Sequence, residues 1–266
     1  MMTNGTPAHG GSNLSSPPRF RVLGVGVDAV QIPDVVVAID DWVRNRARCH
    51  MIAVTSMHGI MEAQDDASFK EILNSADLTV PDGMPLVWLA RRRGHDLKRR
   101  VYGPELMQTV CCETDRPYRH FFLGAAEGVA ERLATTFRNS HQVSVAGTYS
   151  PPFRPLAAAE DVDLIALINR TAPDVLWVGL GTPKQERWMS EHRDKLAVPV
   201  MVGVGAAFDF LAGVTPWAPR WMRENGFEWL FRLMSEPRRL WRRYVIGGSR
   251  FVWCVILEQT GLIRFD

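Results

Sequence analysis

The sequence predicts an α/β chain: a doubly wound, mostly parallel sheet followed by a C-terminal helical appendage. Short β-branched runs alternate with longer amphipathic stretches from Arg21 to Val204, which is the pattern of parallel strands joined by crossover helices. Strand signals cease after Gly213, where Pro216, Pro219 and Pro237 punctuate a Trp- and Arg-rich amphipathic stretch. The chain has 266 residues and 46% hydrophobic content, enough to bury one large core.

Taken in order, RVLGVGV at 21–27 reads as a strand. Pro33 then opens a helix, at a first-turn position where its missing N–H costs nothing. A strand at Met51 to Thr55, a helix from Ile60 to Leu73 and a strand at Asp77 to Val80 follow. Two helices (Leu86 to Arg93, Pro104 to Glu113) precede strands at His120–Leu123, Gln142–Ala146, Val175–Val178 and Val200–Val204, separated by helices near 127–139, 156–170 and 183–195. The organisation is therefore a Gly/Ser/Pro-rich, disordered extension over 1–19, a core over 20–216 and a helical appendage over 217–266.

Thirty-one Lys and Arg against 29 Asp and Glu leave a net charge of +2, too balanced for a nucleic-acid binder. The charge is uneven, however. From Trp217 onward there are nine Arg, no Lys and five acids, or +4, against −2 for the remainder. Cys49, Cys111, Cys112 and Cys254 form no CxxC or Cys/His spacing, so neither a zinc site nor a disulfide framework is expected, and a reducing cytoplasm suits the chain. The first 19 residues lack the apolar segment of a signal peptide. No run approaches the ~18 apolar residues of a membrane span, since Val245 to Leu257 is interrupted by Gly247, Gly248, Ser249 and Arg250. Any membrane contact is peripheral.

In an open parallel sheet, ligands bind beyond the carboxyl ends of the strands. Gly24-Val-Gly26-Val-Asp28-Ala29 is formally GxGxxA, but Pro33 delays the helix and no acid ends the second strand, so a nicotinamide site is disfavoured. Pro81-Asp82-Gly83 displays the Asp82 carboxylate at the sheet edge, either as a general base or as a helix N-cap. Arg100 stands where a guanidinium could hold a diphosphate bidentately. Gly181-Thr182-Pro183-Lys184-Gln185-Glu186 opens a helix whose free N–H groups suit a pyrophosphate, with Lys184 and Gln185 as polar contacts; a structural turn is the alternative. Gly203 to Asp209 offers close approach and a carboxylate, Asp209, for ribose or base hydroxyls. Asp161-Val162-Asp163 mimics a metal-binding DxD, yet two residues apart on a helix the carboxylates diverge. No metal or cofactor is expected. In the tail, Arg238-Arg239 and Arg242-Arg243 repeat at a spacing of four among tryptophans. That composition suits an anionic membrane surface, or a helix packed on the core.

PDG at 81–83, RVYGPELM at 100–107, GTPKQE at 181–186, GVGAAFDFLAG at 203–213 and FEWLFRLMSEPRRLWRRY at 227–244 occur in this order. The chain thereby resembles the WecG/TagA/CpsF family of bacterial glycosyltransferases, from about Arg21 to Tyr244. The resemblance implies a Rossmann-like core and a metal-independent, inverting transfer from a UDP-sugar to a polyprenyl-diphosphate-linked acceptor. It also implies a peripheral location on the inner face of the cell membrane, in cell-surface polysaccharide biosynthesis. It makes Asp82 the base, Thr55, Arg100 and Gln185 substrate-site residues, and Arg232, Arg239 and Arg242 contacts to the acceptor diphosphate. N-acetylmannosamine or its uronic acid is the frequent donor sugar. Where the family often has Thr-x-Asn, this chain has Thr55-Ser56-Met57-His58, which opens the alternative of a hexose such as glucose. A non-catalytic, membrane-associated nucleotide-binding scaffold is the rival reading, and a homo-oligomer is left open.

Overall fold

The computed structural model describes residues 17–113 and 116–265; the expected extension over 1–19 falls almost entirely outside them. The described chain begins with a hairpin, β1 (Arg19–Val22) and β2 (Val25–Asp28), paired antiparallel. The single strand expected over 21–27 is thus two. Leu23 and Gly24 both take positive φ, 50° and 79°, the geometry of a two-residue hairpin turn. The GxGxxA glycines lie in this hairpin, and Gly26 N donates to Asn74 Oδ1. No helix opens from the Gly24–Gly26 segment, so the dinucleotide geometry is absent.

The helix α1 (Ile32–Asn45) leads into β3 (His50–Thr55). The next helical stretch is split into α2 (Met57–Asp65) and α3 (Ala67–Ser75), because Asp66 turns extended and caps α3 by accepting from Phe69 N. β4 (Leu78–Pro81), α4 (Met84–Arg92) and α5 (Gly103–Gln108), the last running into a π-helical turn at Thr109–Glu113, come next. Then follow β5 (Arg119–Gly124), α6 (Val129–His141), β6 (Ser144–Tyr149), α7 (Ala158–Thr171), β7 (Val175–Gly179), α8 (Lys184–His192), β8 (Val200–Gly203) and α9 (Ala207–Leu211).

β3 to β8 form one sheet in the order β4-β3-β8-β7-β5-β6, with every neighbouring pair parallel. Apolar helix stripes cover both faces. Ile60, Phe69, Leu86, Leu164 and Met189 pack on one side, and Val35, Ile39, Leu106, Leu133 and Phe208 on the other. Trp177 is fully buried at the centre, and its indole N–H donates to His120 Nδ1 at 3.1 Å. Left unpaired, that donor would cost about 1–3 kcal/mol. Burial pulls His120 down to about 3, which keeps it a neutral acceptor.

From β5 the chain steps outward to β6, whereas from β7 it steps the opposite way to β8. That reversal makes a topological switch point between β5 and β7, at the carboxyl side where open parallel sheets bind ligands. A Cβ on Gly124 would stand 2.5 Å from the Gly179 carbonyl carbon, so only glycine lets these two strand ends meet.

The tail contributes α10 (Arg220–Glu224), α11 (Glu228–Ser235), α12 (Pro237–Trp241), a π-helical turn at Arg242–Ile246 and α13 (Gly247–Gln259). Its last helix buries Phe251 and Val255 in the main core. Glu258 accepts from Leu23 N and pairs with Arg93, while Arg250 holds Asp65 through both guanidinium nitrogens at 2.6 Å. Among the described residues, no helix is long and apolar enough to cross a membrane.

Candidate active site

Asp82 follows directly on β4. Its backbone N–H donates to Thr55 O at 2.8 Å, and Val101 N donates to Pro81 O. These bonds fix the turn beside the end of β3. The α4 cap position is Gly83, which receives no side-chain cap bond, so Asp82 does not serve as a helix cap. Its Oδ1 is buried without a hydrogen-bond partner. Burial raises the carboxyl to about 6; Arg100 pulls it down, Glu228 pushes it up, and Arg232 and Arg243 pull it down.

Arg100 is 3.9 Å from Asp82 Oδ1 through one nitrogen, but its other nitrogen binds Glu228. Glu228 is buried and also accepts from Tyr102 OH at 2.8 Å. The Arg100 guanidinium stacks 4.1 Å over the Tyr102 ring. A residue of α11 in the tail thus occupies the side of Arg100 that would otherwise neutralise Asp82. The carboxylate is left near a cation without being locked to it, the condition in which it can accept a proton.

Three orphan donors accompany it. Thr55 Oγ1, Arg232 Nε and Arg243 Nε are buried and unpaired. Burial lowers the Arg243 pKa, with Arg232 and Arg239 close enough to add repulsion. Unpaired buried guanidinium nitrogens are costly, and crowding several cations is costlier still. An anion placed among them removes both penalties at once. Burial raises the Asp209 carboxyl, with Arg239, Glu236 and Arg232 nearby.

The 181–186 loop lies against the same corner, since Thr55 and Thr182 methyls both stand within 4 Å of where a Gly59 Cβ would be. Gly181 takes φ 78° with open space around it. Lys184 is exposed. Gln185, by contrast, is turned inward: its amide donates to Glu186 Oε1 and accepts from Gly205 N, both at 2.9 Å. It ties the β7 and β8 loops together. Thr182 Oγ1 donates to the same Glu186 oxygen.

Of the tail arginines expected at the site, Arg232 is there, and Arg239 lies at its rim, paired with Glu236 at 2.8 Å. Arg242 is exposed, its guanidinium 5.7 Å from the Trp241 ring centroid. Arg243 takes the inward position instead, four residues after Arg239 on the same helical face. Sequence reasoning missed Arg243 and Glu228. The doubled Arg pairs carried a signal for the first, but nothing local marked the second. In the segment that replaces Thr-x-Asn, burial and the nearby Arg243 lower His58 to about 4, so it is a neutral imidazole. Asp161 of the DxD pairs instead with His192 Nε2 on α8 at 3.0 Å. Among the described residues, no group of three or more His, Cys, Asp or Glu side chains gathers as a metal site.

The model of the glycosyl transferase WecG/TagA/CpsF family matches residues 20–264. An N-acetylglucosaminyldiphosphoundecaprenol N-acetyl-beta-D-mannosaminyltransferase of Bacillus spizizenii is 32% identical over 200 residues, covering 74% of this chain and 75% of the relative. An enzyme of the same name from Bacillus subtilis is 29% identical, with 75% and 76% covered. Another from Staphylococcus aureus is 28% identical over 232 residues, with 86% and 89% covered.

Proposed function

Since the chain belongs to the WecG/TagA/CpsF family of glycosyltransferases, we propose that it moves a sugar from a UDP-sugar to a polyprenyl-diphosphate-linked acceptor, with Asp82 as the base. The observation that carries this reading is the unpartnered Asp82 Oδ1, with Arg232 and Arg243, whose Nε groups are also unpaired, near enough to pull its carboxyl down. The acceptor hydroxyl attacks the anomeric carbon from the side of Asp82, which takes its proton. The bond to the UDP oxygen breaks on the opposite face, so the configuration inverts. A base of this kind contributes about 10²–10⁴-fold. The leaving diphosphate gains negative charge, which the positive end of the α8 dipole and the Arg100 guanidinium offset without a metal. Arg232 and Arg243, with Arg239 at the rim, hold the acceptor diphosphate.

Thirteen of the eighteen exposed large hydrophobics among the described residues belong to residues 217–266, Trp221, Trp241 and Trp253 among them. Together with the tail's arginines they support docking on an anionic membrane, at the inner face where UDP-sugars are found. The donor sugar is N-acetylmannosamine, its uronic acid or a hexose such as glucose, the hexose suggested by Thr55-Ser56-Met57-His58 standing in place of Thr-x-Asn. UDP release measured across a panel of UDP-sugars, with a polyprenyl-diphosphate-linked N-acetylglucosamine acceptor, tests the proposal. Turnover with one donor is expected. No UDP release with any donor, while UDP itself still binds, would favour the scaffold reading.

A further inference from the structure

An apolar groove that the transfer chemistry does not use adjoins Arg243 through Tyr244. The groove encloses about 480 Å³, with α4, α11 and α13 around it and Trp88, Trp229, Tyr244, Val252 and Trp253 among its lining residues. Tyr244 belongs to both regions: the Arg243 guanidinium lies 5.7 Å from its ring centroid, and the Trp229 ring is 6.3 Å away on another side. Met57, two residues beyond Thr55, also lines the groove, its Cε 3.7 Å from where a Gly248 Cβ would be. Trp88, Val252 and Trp253 are each more than half exposed, so the groove leaves apolar surface open to water.

A sugar nucleotide has no hydrocarbon part to cover such walls. A molecule that carries a diphosphate at one end and an apolar chain beyond it matches both regions and their order. We propose that the groove receives the first isoprene units of the acceptor's polyprenyl chain, with the diphosphate on Arg232 and Arg243. The proposal rests on the acceptor reading above and adds to it where the lipid runs. The chain leaves the site between α4 and α13 and passes into the bilayer from there, so affinity depends on chain length only up to the capacity of the groove.

The test is a tryptophan-fluorescence titration of the full chain with sugar-free polyprenyl diphosphates of one to several isoprene units, held in detergent. Wild-type affinity should rise with chain length and then level off. Val252→Asp places a charge on one wall, and Gly248→Leu fills the groove without one. Each should weaken binding of the longer chains by about tenfold, while the one-isoprene diphosphate binds within about twofold of wild type. Circular dichroism separates loss of the groove from loss of the fold, and either folded variant suffices. Unchanged chain-length dependence in the folded variants overturns the proposal. So does an identical, equally variant-sensitive signal from phosphatidylglycerol vesicles lacking polyprenyl diphosphate, which would make the groove a bilayer contact. Chain-length-dependent binding without UDP release would refute the transfer reading and leave the groove assignment standing.

Discussion

Replacing Asp82 by asparagine should make the protein more stable and almost inactive. The Asp82 carboxyl titrates at about 6 against an ordinary 3.8, a rise of roughly two pK units at about 1.36 kcal/mol each. Because 27% of the side chain meets solvent, the implied ~3 kcal/mol is discounted to about 1–2 kcal/mol. A raised carboxyl favours the folded state only while protonated. Its contribution is complete below about pH 4 and is lost as pH climbs through about 6. The neutral amide of Asp82→Asn would mimic the protonated form at every pH. The variant should therefore match wild type in Tm at pH 4 and exceed it by about 2–8 °C at pH 8. UDP release should drop about 10²–10⁴-fold, with UDP binding retained. Scanning calorimetry at pH 4, 6 and 8 beside a UDP-release assay reads both effects. A variant less stable than wild type at pH 8 would show that burial does not hold the carboxyl up, and turnover at near-wild-type rate would remove Asp82 from the chemistry.

Glu228→Gln removes a charge that pushes Asp82 up, so the acidic limb of the kcat/KM profile should move below about 6; a limb that stays in place would show that the two carboxylates are not coupled. Arg243→Met should raise the acceptor KM about 10–100-fold, the worth of charge-assisted bonds to a phosphate, whereas Arg242→Met on a short soluble acceptor should change it less than about twofold; the reverse ranking would exchange their roles. Binding of the full chain to anionic vesicles should weaken between 0.1 M and 1 M salt, as the screening length falls from ~10 Å to ~3 Å, and salt-independent sedimentation would exclude the arginines from docking.

The parallel sheet was legible because its strands are short runs of β-branched residues, or of aromatic ones in β5, separated by amphipathic helices of ordinary length. Two local features were hidden. RVLGVGV keeps an apolar character through its turn, and Leu at positive φ is not a residue that announces one, so the hairpin read as a strand. At Asp65-Asp66 two adjacent acids hid a cap inside a helical pattern. At the site, Asp82 was visible because Pro81 and Gly83 bracket it at a strand exit. Glu228 was not, since its partners Arg100 and Tyr102 are 128 and 126 residues away and only tertiary folding brings them together. Gln185 shows the converse. Its place in a ligand-loop motif suggested substrate contact, while the structure gives both ends of its amide to the loops that shape the crevice.

Where UDP sits decides the mechanism. A crystal structure of the protein with UDP should place the diphosphate between the start of α8 and the Asp82 turn, within reach of Arg100. Density for UDP on another face of the sheet, away from both the 181–186 loop and Asp82, would contradict it.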